Sequence, residues 1–160
     1  LLNWSATRDV PWGVLILFGG GLTLSAQFTA TGLSVWIGES VSGLAGLPPI
    51  LILIVTALVI ILLTELTSNT ATAAAFFPIM GSIAVGLGID PLLMTIVVTF
   101  AVSCAFMLPV ATPSNAVAFA TGDLPIRHMI RAGIWMNVIG LLLIIVALYT
   151  IVPLVFDVSF

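Results

Sequence analysis

Along the chain, polar residues gather into a few short stretches between long apolar ones, and four apolar regions reach or exceed the roughly 20 residues needed to cross a bilayer. The first, 11–38, carries Gly19, Gly20 and Gly21 in its middle, and three consecutive glycines weaken a helix enough to predict a bend there. The second, 47–88, is too long for one span and must fold back on itself. The natural turn lies at 67–70, where Thr, Ser and Asn compete for backbone hydrogen bonds. The third, 91–126, is interrupted at 109–115: Pro109 and Pro113 each remove a donor and disfavour helix at the residue before, and Ser114 or Asn115 is placed to cap a second half-helix. The last, 134–156, is apolar all round and reads as a plain membrane helix.

Composition narrows the class. Hydrophobic residues make up 61% of the chain and charged residues 6%, with a mean hydropathy of +1.37, against about 25% charged in soluble domains. The pattern predicts an all-α integral membrane protein. Arg8, Arg127 and Arg131 are the only basic side chains apart from His128, so there is no basic patch for nucleic acid. The single cysteine, Cys104, excludes a disulfide framework and reads as an apolar filler. The first residues show no charged segment followed by a short apolar run and an A-x-A site, so no signal peptide is read there. If the helices alternate, all three arginines fall on one side, which the positive-inside rule makes cytoplasmic, with the C-terminus outside. His128 reads as a solvated loop residue, and Trp4, Trp12, Trp36 and Trp135 as lipid- or core-facing side chains suited to anchor at the interface.

Two polar breaks inside apolar stretches, 64–73 and 110–116, carry the candidate chemistry. Irregular backbone at membrane depth is tolerated where protein covers it or where it lines a cavity. A half-helix N-terminus at such a break favours an anion, and unwound carbonyls suit sodium. Thr64, Thr67, Ser68, Asn69, Thr70, Thr112 and Asn115 offer hard oxygens and amides, without thiol or imidazole. Neither segment holds a cation to pair with a substrate carboxylate, so coupled cations would have to supply the charge. Single hydroxyls in membrane helices commonly serve packing, and it is the pairing of two breaks that points to a site. Glu65 beside the first break reads in two ways, as a proton site or as a helix-end anchor at water. An enzyme is disfavoured, because Ser68 has no adjacent base and the one histidine lies far along the chain. A structural membrane subunit is the bland alternative.

Three motifs in order, PWGVLILFGGGLTLSAQFTATGL, TSNTATAAAFFPI, and MLPVATPSNAVAFATG followed by IRHMIRAG, give the chain a resemblance to the second half of the divalent anion/sodium symporter family. The resemblance implies one half of an inverted-repeat transporter with a re-entrant helical hairpin and a broken transmembrane helix. It implies sodium-coupled symport of a small anion such as succinate, malate or fumarate by an elevator-type movement, in a homodimer in the cell (inner) membrane. It puts Ser68, Asn69 and Thr70 at the hairpin tip, with Thr112 and Pro113 lining the same substrate site, and sodium held by oxygens at Thr64, Thr67, Asn69 and Ala111. Pro113-Ser114-Asn115 departs from the Pro-Pro-Asn frequent in the family, a change that bears on loop stiffness and substrate preference. The family's first repeat, with its own Ser-Asn-Thr, does not occur in these residues, so the chain is expected to be part of a longer or split transporter. An antiporter of the arsenite or sodium/proton kind shares such breaks and is the alternative. It would need a titrating carboxylate, for which Glu65 is the candidate.

Overall fold

The computed structural model describes residues 46–156 continuously, together with residues 30–41 and scattered positions from 12 to 43. Arg8 and Trp4 lie outside the described residues. Among the described residues six helices have defined bounds: α1 Leu33–Val41, α2 Pro49–Thr64, α3 Asn69–Leu87, α4 Pro91–Val102, α5 Pro113–Ala120 and α6 Ile126–Phe156.

Their boundaries follow from local chemistry. α2 opens with Pro49 after an extended Pro48, a fit because the first helical N–H has no partner in any case. α3 closes on Gly88 in the left-handed conformation (φ 70°), with Gly88 N–H donating to Val85 O and Ile89 N–H reaching back to Ala84 O at 2.9 Å. That is a Schellman ending, with Ile89 and Ala84 both in the core. Asp90 then caps α4 by accepting from Leu92 N–H at 2.8 Å, with Pro91 at the first helical position.

α4 occupies the centre. It packs against both α2 and α3, while α6 lies across α4 and α2 and α1 lies along α3. Spacing of three and four residues puts Leu53, Thr56, Ala57, Ile60, Ile61 and Thr64 of α2 on the buried side, against Leu93, Met94, Val97, Val98 and Ala101 of α4. The outer faces are apolar too. Val55, Leu58 and Leu62 on α2, and Trp135, Leu143 and Leu154 on α6, are all exposed. An apolar core inside an apolar surface is the arrangement expected where lipid is the solvent. α3 and α6 are each long and apolar enough to span a bilayer. At about 1.5 Å per residue the 31 residues of α6 extend about 46 Å, more than the roughly 30 Å hydrocarbon thickness, so its arginine-bearing first turns can stand outside it.

The structure corrects several boundaries. In the first region the chain turns at Thr31 and Gly32, with Gly32 at φ 73°, and the helix beyond runs to Val41; Gly19 and Gly20 are helical, and Gly21 lies outside the described residues. The interruption of the third region spans 103–112 rather than 109–115, and its second half-helix is capped by Thr112, with Ser114 and Asn115 already inside it. The last helix begins at Ile126, not at 134. Its first turns are amphipathic, turning Met129 and Gly133 inward and Arg127, His128 and Arg131 outward, so an all-apolar criterion misses them. His128 is exposed, but on a helix rather than a loop.

Candidate functional site

Residues 65–68 form the turn between α2 and α3, and the unwound segment 103–112 lies against it. At the turn, Thr64 is fully buried, and its Oγ1 lies 2.7 Å from Asn69 Oδ1 and 3.1 Å from the carbonyl oxygen of Val102. A hydroxyl has one hydrogen to donate, so it serves only one of these acceptors at a time. Three oxygens, one from each of the three segments that meet here, thus converge with a single proton among them. Ser68 precedes α3 in extended conformation, and its side chain makes no cap bond. The N–H groups opening α3 are therefore not claimed by a side-chain cap, and a half-helix N-terminus of this kind attracts an anion.

Glu65 organises the other side of the turn. It is 1% exposed, and its carboxylate accepts from three successive backbone N–H groups: Phe106 at 2.8 Å, Met107 at 3.0 and 2.9 Å, and Leu108 at 3.0 Å. Asn137 Nδ2 on α6 adds a fifth bond at 2.7 Å. Successive N–H groups curled around an anion form a nest, here filled by the protein's own carboxylate. The reading of Glu65 as an anchor at water is corrected: the side chain is enclosed. All of its hydrogen bonds come from donors, four from the backbone of residues 106–108 and one from the Asn137 amide.

These bonds also explain where α4 ends. The N–H groups of residues 106–108 are turned to Glu65 and so are withdrawn from the helical ladder that would run on past Val102, while Val102 O, one of the carbonyls left open at the helix end, lies 3.1 Å from Thr64 Oγ1. Asn115 closes the loop from its far end, donating its amide to Ala105 O at 2.9 Å and Leu108 O at 3.1 Å. Thr112 Oγ1 accepts from Asn115 N–H at 3.2 Å as the cap of α5.

Of the residues singled out from sequence, the structure joins Thr64 to Asn69 directly. Ser68 is exposed and Asn69 and Thr70 are half-buried at the start of α3. The bonds of Thr67 run to Leu63 O and to Thr72, and those of Thr112 run to Ser114 and Asn115 in the first turn of α5. Ala111 is buried and donates its N–H to Leu108 O, and Pro113 is exposed at the first position of α5.

Three contributors escaped sequence reasoning: the Val102 carbonyl, the N–H groups of residues 106–108, and Asn137. Backbone groups leave no mark in a sequence. Asn137 did leave one, as an amide within an apolar run with Gly133 four positions before it and Gly140 three after, all on one helix face. A Cβ on Gly133 would lie 2.5 Å from both Met107 Cα and Phe106 O, and one on Gly140 would lie 2.8 Å from Cys104 Sγ. The unwound segment is thus seated directly on α6, which is more than a plain span.

A membrane-embedded helical protein whose helices break around convergent oxygens and a helix N-terminus has the construction of an ion-coupled transporter. Residues 1–156 match the family described as the sodium:sulfate symporter transmembrane region. The chain is 41% identical over 153 residues to the sodium-dependent dicarboxylate transporter SdcS of Staphylococcus saprophyticus, which covers 96% of the chain and 30% of that protein. It is 44% identical over 159 residues to SdcS of Staphylococcus aureus strain MRSA252, covering 99% of the chain and 31% of that protein. The chain therefore spans less than a third of the length of these relatives. It belongs to the sodium:sulfate symporter family, the divalent anion/sodium symporters.

Proposed function

We propose that the chain works as the second structural repeat of a longer secondary transporter that carries a small dicarboxylate, such as succinate, malate or fumarate, together with sodium ions. The observation that carries this reading is the convergence of Thr64 Oγ1, Asn69 Oδ1 and Val102 O beside the uncapped start of α3. It stands in a chain more than 40% identical to proteins named sodium-dependent dicarboxylate transporters.

Hard, uncharged oxygens suit sodium, with Thr67 and Ala111 as further ligands. One substrate carboxylate is taken by the N-terminus of α3 through Ser68, Asn69 and Thr70, with Thr112 and Pro113 at the start of α5 facing the same site. Glu65 places a negative charge beside this site, and the nest consumes the N–H groups that would otherwise offset an incoming anion. Sodium bound at Asn69 supplies that offset, which couples ion to substrate through one side chain.

In this reading α2 and α3 form a re-entrant hairpin, α4 and α5 are the two halves of a broken transmembrane helix, and α6 is a full span in a multi-pass protein of the cell (inner) membrane. The hairpin and broken helix shift together in an elevator-type alternating-access movement within a homodimer. The antiporter reading would give Glu65, at the break, the role of proton carrier; the complete Ser68-Asn69-Thr70 motif and relatives named sodium-dependent dicarboxylate transporters favour symport instead.

The test is uptake of labelled succinate by the full-length transporter in proteoliposomes under imposed gradients. An inward sodium gradient is expected to drive accumulation and a proton gradient alone is not. Accumulation driven by protons without sodium would sink the symport reading.

A further inference from the structure

Asn137 is 7% exposed at the middle of the inward face of α6. One half of its amide donates to Glu65 Oε1 at 2.7 Å, and the other half, Oδ1, is buried without a hydrogen-bond partner. A half-satisfied amide inside a membrane helix is a costly arrangement, and packing does not require it. The cavity of about 150 Å³ beside it is walled by Leu58, Ile61, Leu62, Met107, Ile134 and other apolar side chains, so a leucine at 137 would meet apolar neighbours. What asparagine adds there is a donor aimed at Glu65.

The position of Glu65 has consequences for its neighbours. It holds the N–H groups of Phe106, Met107 and Leu108, and so fixes the path of the chain leaving Val102. Thr64 is the adjacent residue on the hairpin side, and its Oγ1 lies 3.1 Å from Val102 O. The carboxylate bond therefore sets the separation of two oxygens from different helices. α6 reinforces this from behind, since Gly133 lets the backbone of residues 106 and 107 lie directly on the helix.

We propose that Asn137 is a positioning residue for the sodium site: by holding Glu65 from α6, it fixes Thr64 Oγ1 against Val102 O, and it touches neither ion nor substrate. The proposal rests on the sodium-symport reading. Groups one shell out from ion ligands commonly govern affinity by orienting the ligands, and the fifth bond to Glu65 has that place here.

The experiment uses the full-length transporter, reconstituted, with Asn137→Leu and Asn137→Ala removing the donor and Asn137→Gln retaining one. Half-saturating sodium, the succinate KM at saturating sodium, and hydrogen exchange at the amides of residues 106–108 are read for each. Loss of the donor is expected to raise half-saturating sodium about tenfold while the succinate KM at saturating sodium stays within about twofold. Exchange at residues 106–108 accelerates, and Asn137→Gln recovers most of both effects. Folded Asn137→Leu or Asn137→Ala protein with wild-type sodium half-saturation and wild-type exchange would overturn the proposal. Should the wild type itself show no sodium dependence, the symport reading fails and exchange at residues 106–108 decides on the positioning alone: unchanged protection in both donor-free variants overturns it.

Discussion

Asn137 Nδ2 lies 2.7 Å from Glu65 Oε1, although 72 positions separate the two residues in the chain. That bond, with the four from residues 106–108 to the same carboxylate, brings three segments to one point: the turn after α2, the unwound stretch after α4, and α6. The candidate site is defined by this meeting rather than by any one motif.

Glu65→Gln keeps the shape of the side chain but turns an amide donor toward a set of donors. It is expected to destabilise the protein by about 3 kcal/mol or more, the range for breaking a buried charged network by changing one member. Thermal unfolding of the detergent-solubilised transporter measures it, and a loss under about 0.5 kcal/mol, as at a surface site, would contradict the enclosed arrangement.

Thr64→Val is close in shape and removes the hydroxyl between Asn69 Oδ1 and Val102 O. If these oxygens hold the ion, half-saturating sodium rises about tenfold or more, with the change in succinate KM largely erased at saturating sodium. An effect confined to succinate at every sodium concentration would move Thr64 to the substrate side.

The glycine face of α6 makes a two-part prediction. Gly133→Ala drives a Cβ into the backbone at Phe106 and Met107, which cannot swing aside, and is expected to cost about 1–3 kcal/mol with loss of uptake. Gly140→Ala crowds the Cys104 sulfur at 2.8 Å and meets Cys104 Cβ at an ordinary 3.7 Å, so pairing it with Cys104→Ala should recover most of its smaller loss. Thermal stability of the three variants, compared in one detergent, separates the two cases.

Thr112→Ala removes the side-chain cap of α5, for an expected cost of about 1 kcal/mol. Thr112→Ser retains the oxygen and should sit near the wild type in thermal unfolding; equal losses in both variants would assign the effect to the methyl group instead.

Membrane character and family were legible from sequence, because both are written in side chains: the long apolar regions, the sparse charge, and three ordered motifs. Local punctuation was legible for the same reason. Pro91 stands at a first helical position and Gly88 takes the left-handed ending that glycine favours, whereas Pro113, read as part of the break, opens the next helix with Thr112 and not Ser114 or Asn115 as its cap. The end of α4 was not, since nothing in Ser103-Cys104-Ala105 breaks a helix. The N–H groups that would carry it on turn instead to a carboxylate 41 to 43 residues earlier in the chain. The role of Glu65 was hidden likewise, because three of its four partners are backbone groups with no residue identity. Asn137 stood in view, but a polar residue inside a span gains meaning only when its partner is known.

The most direct measurement is sodium-driven uptake of labelled succinate by the reconstituted full-length transporter, wild type against Asn69→Ala. Asn69 is the side chain proposed to meet both sodium and the substrate carboxylate, so its truncation should abolish sodium-dependent uptake in protein that remains folded. Uptake in the variant that keeps its wild-type dependence on sodium and on succinate would contradict a shared ion and anion site at the start of α3.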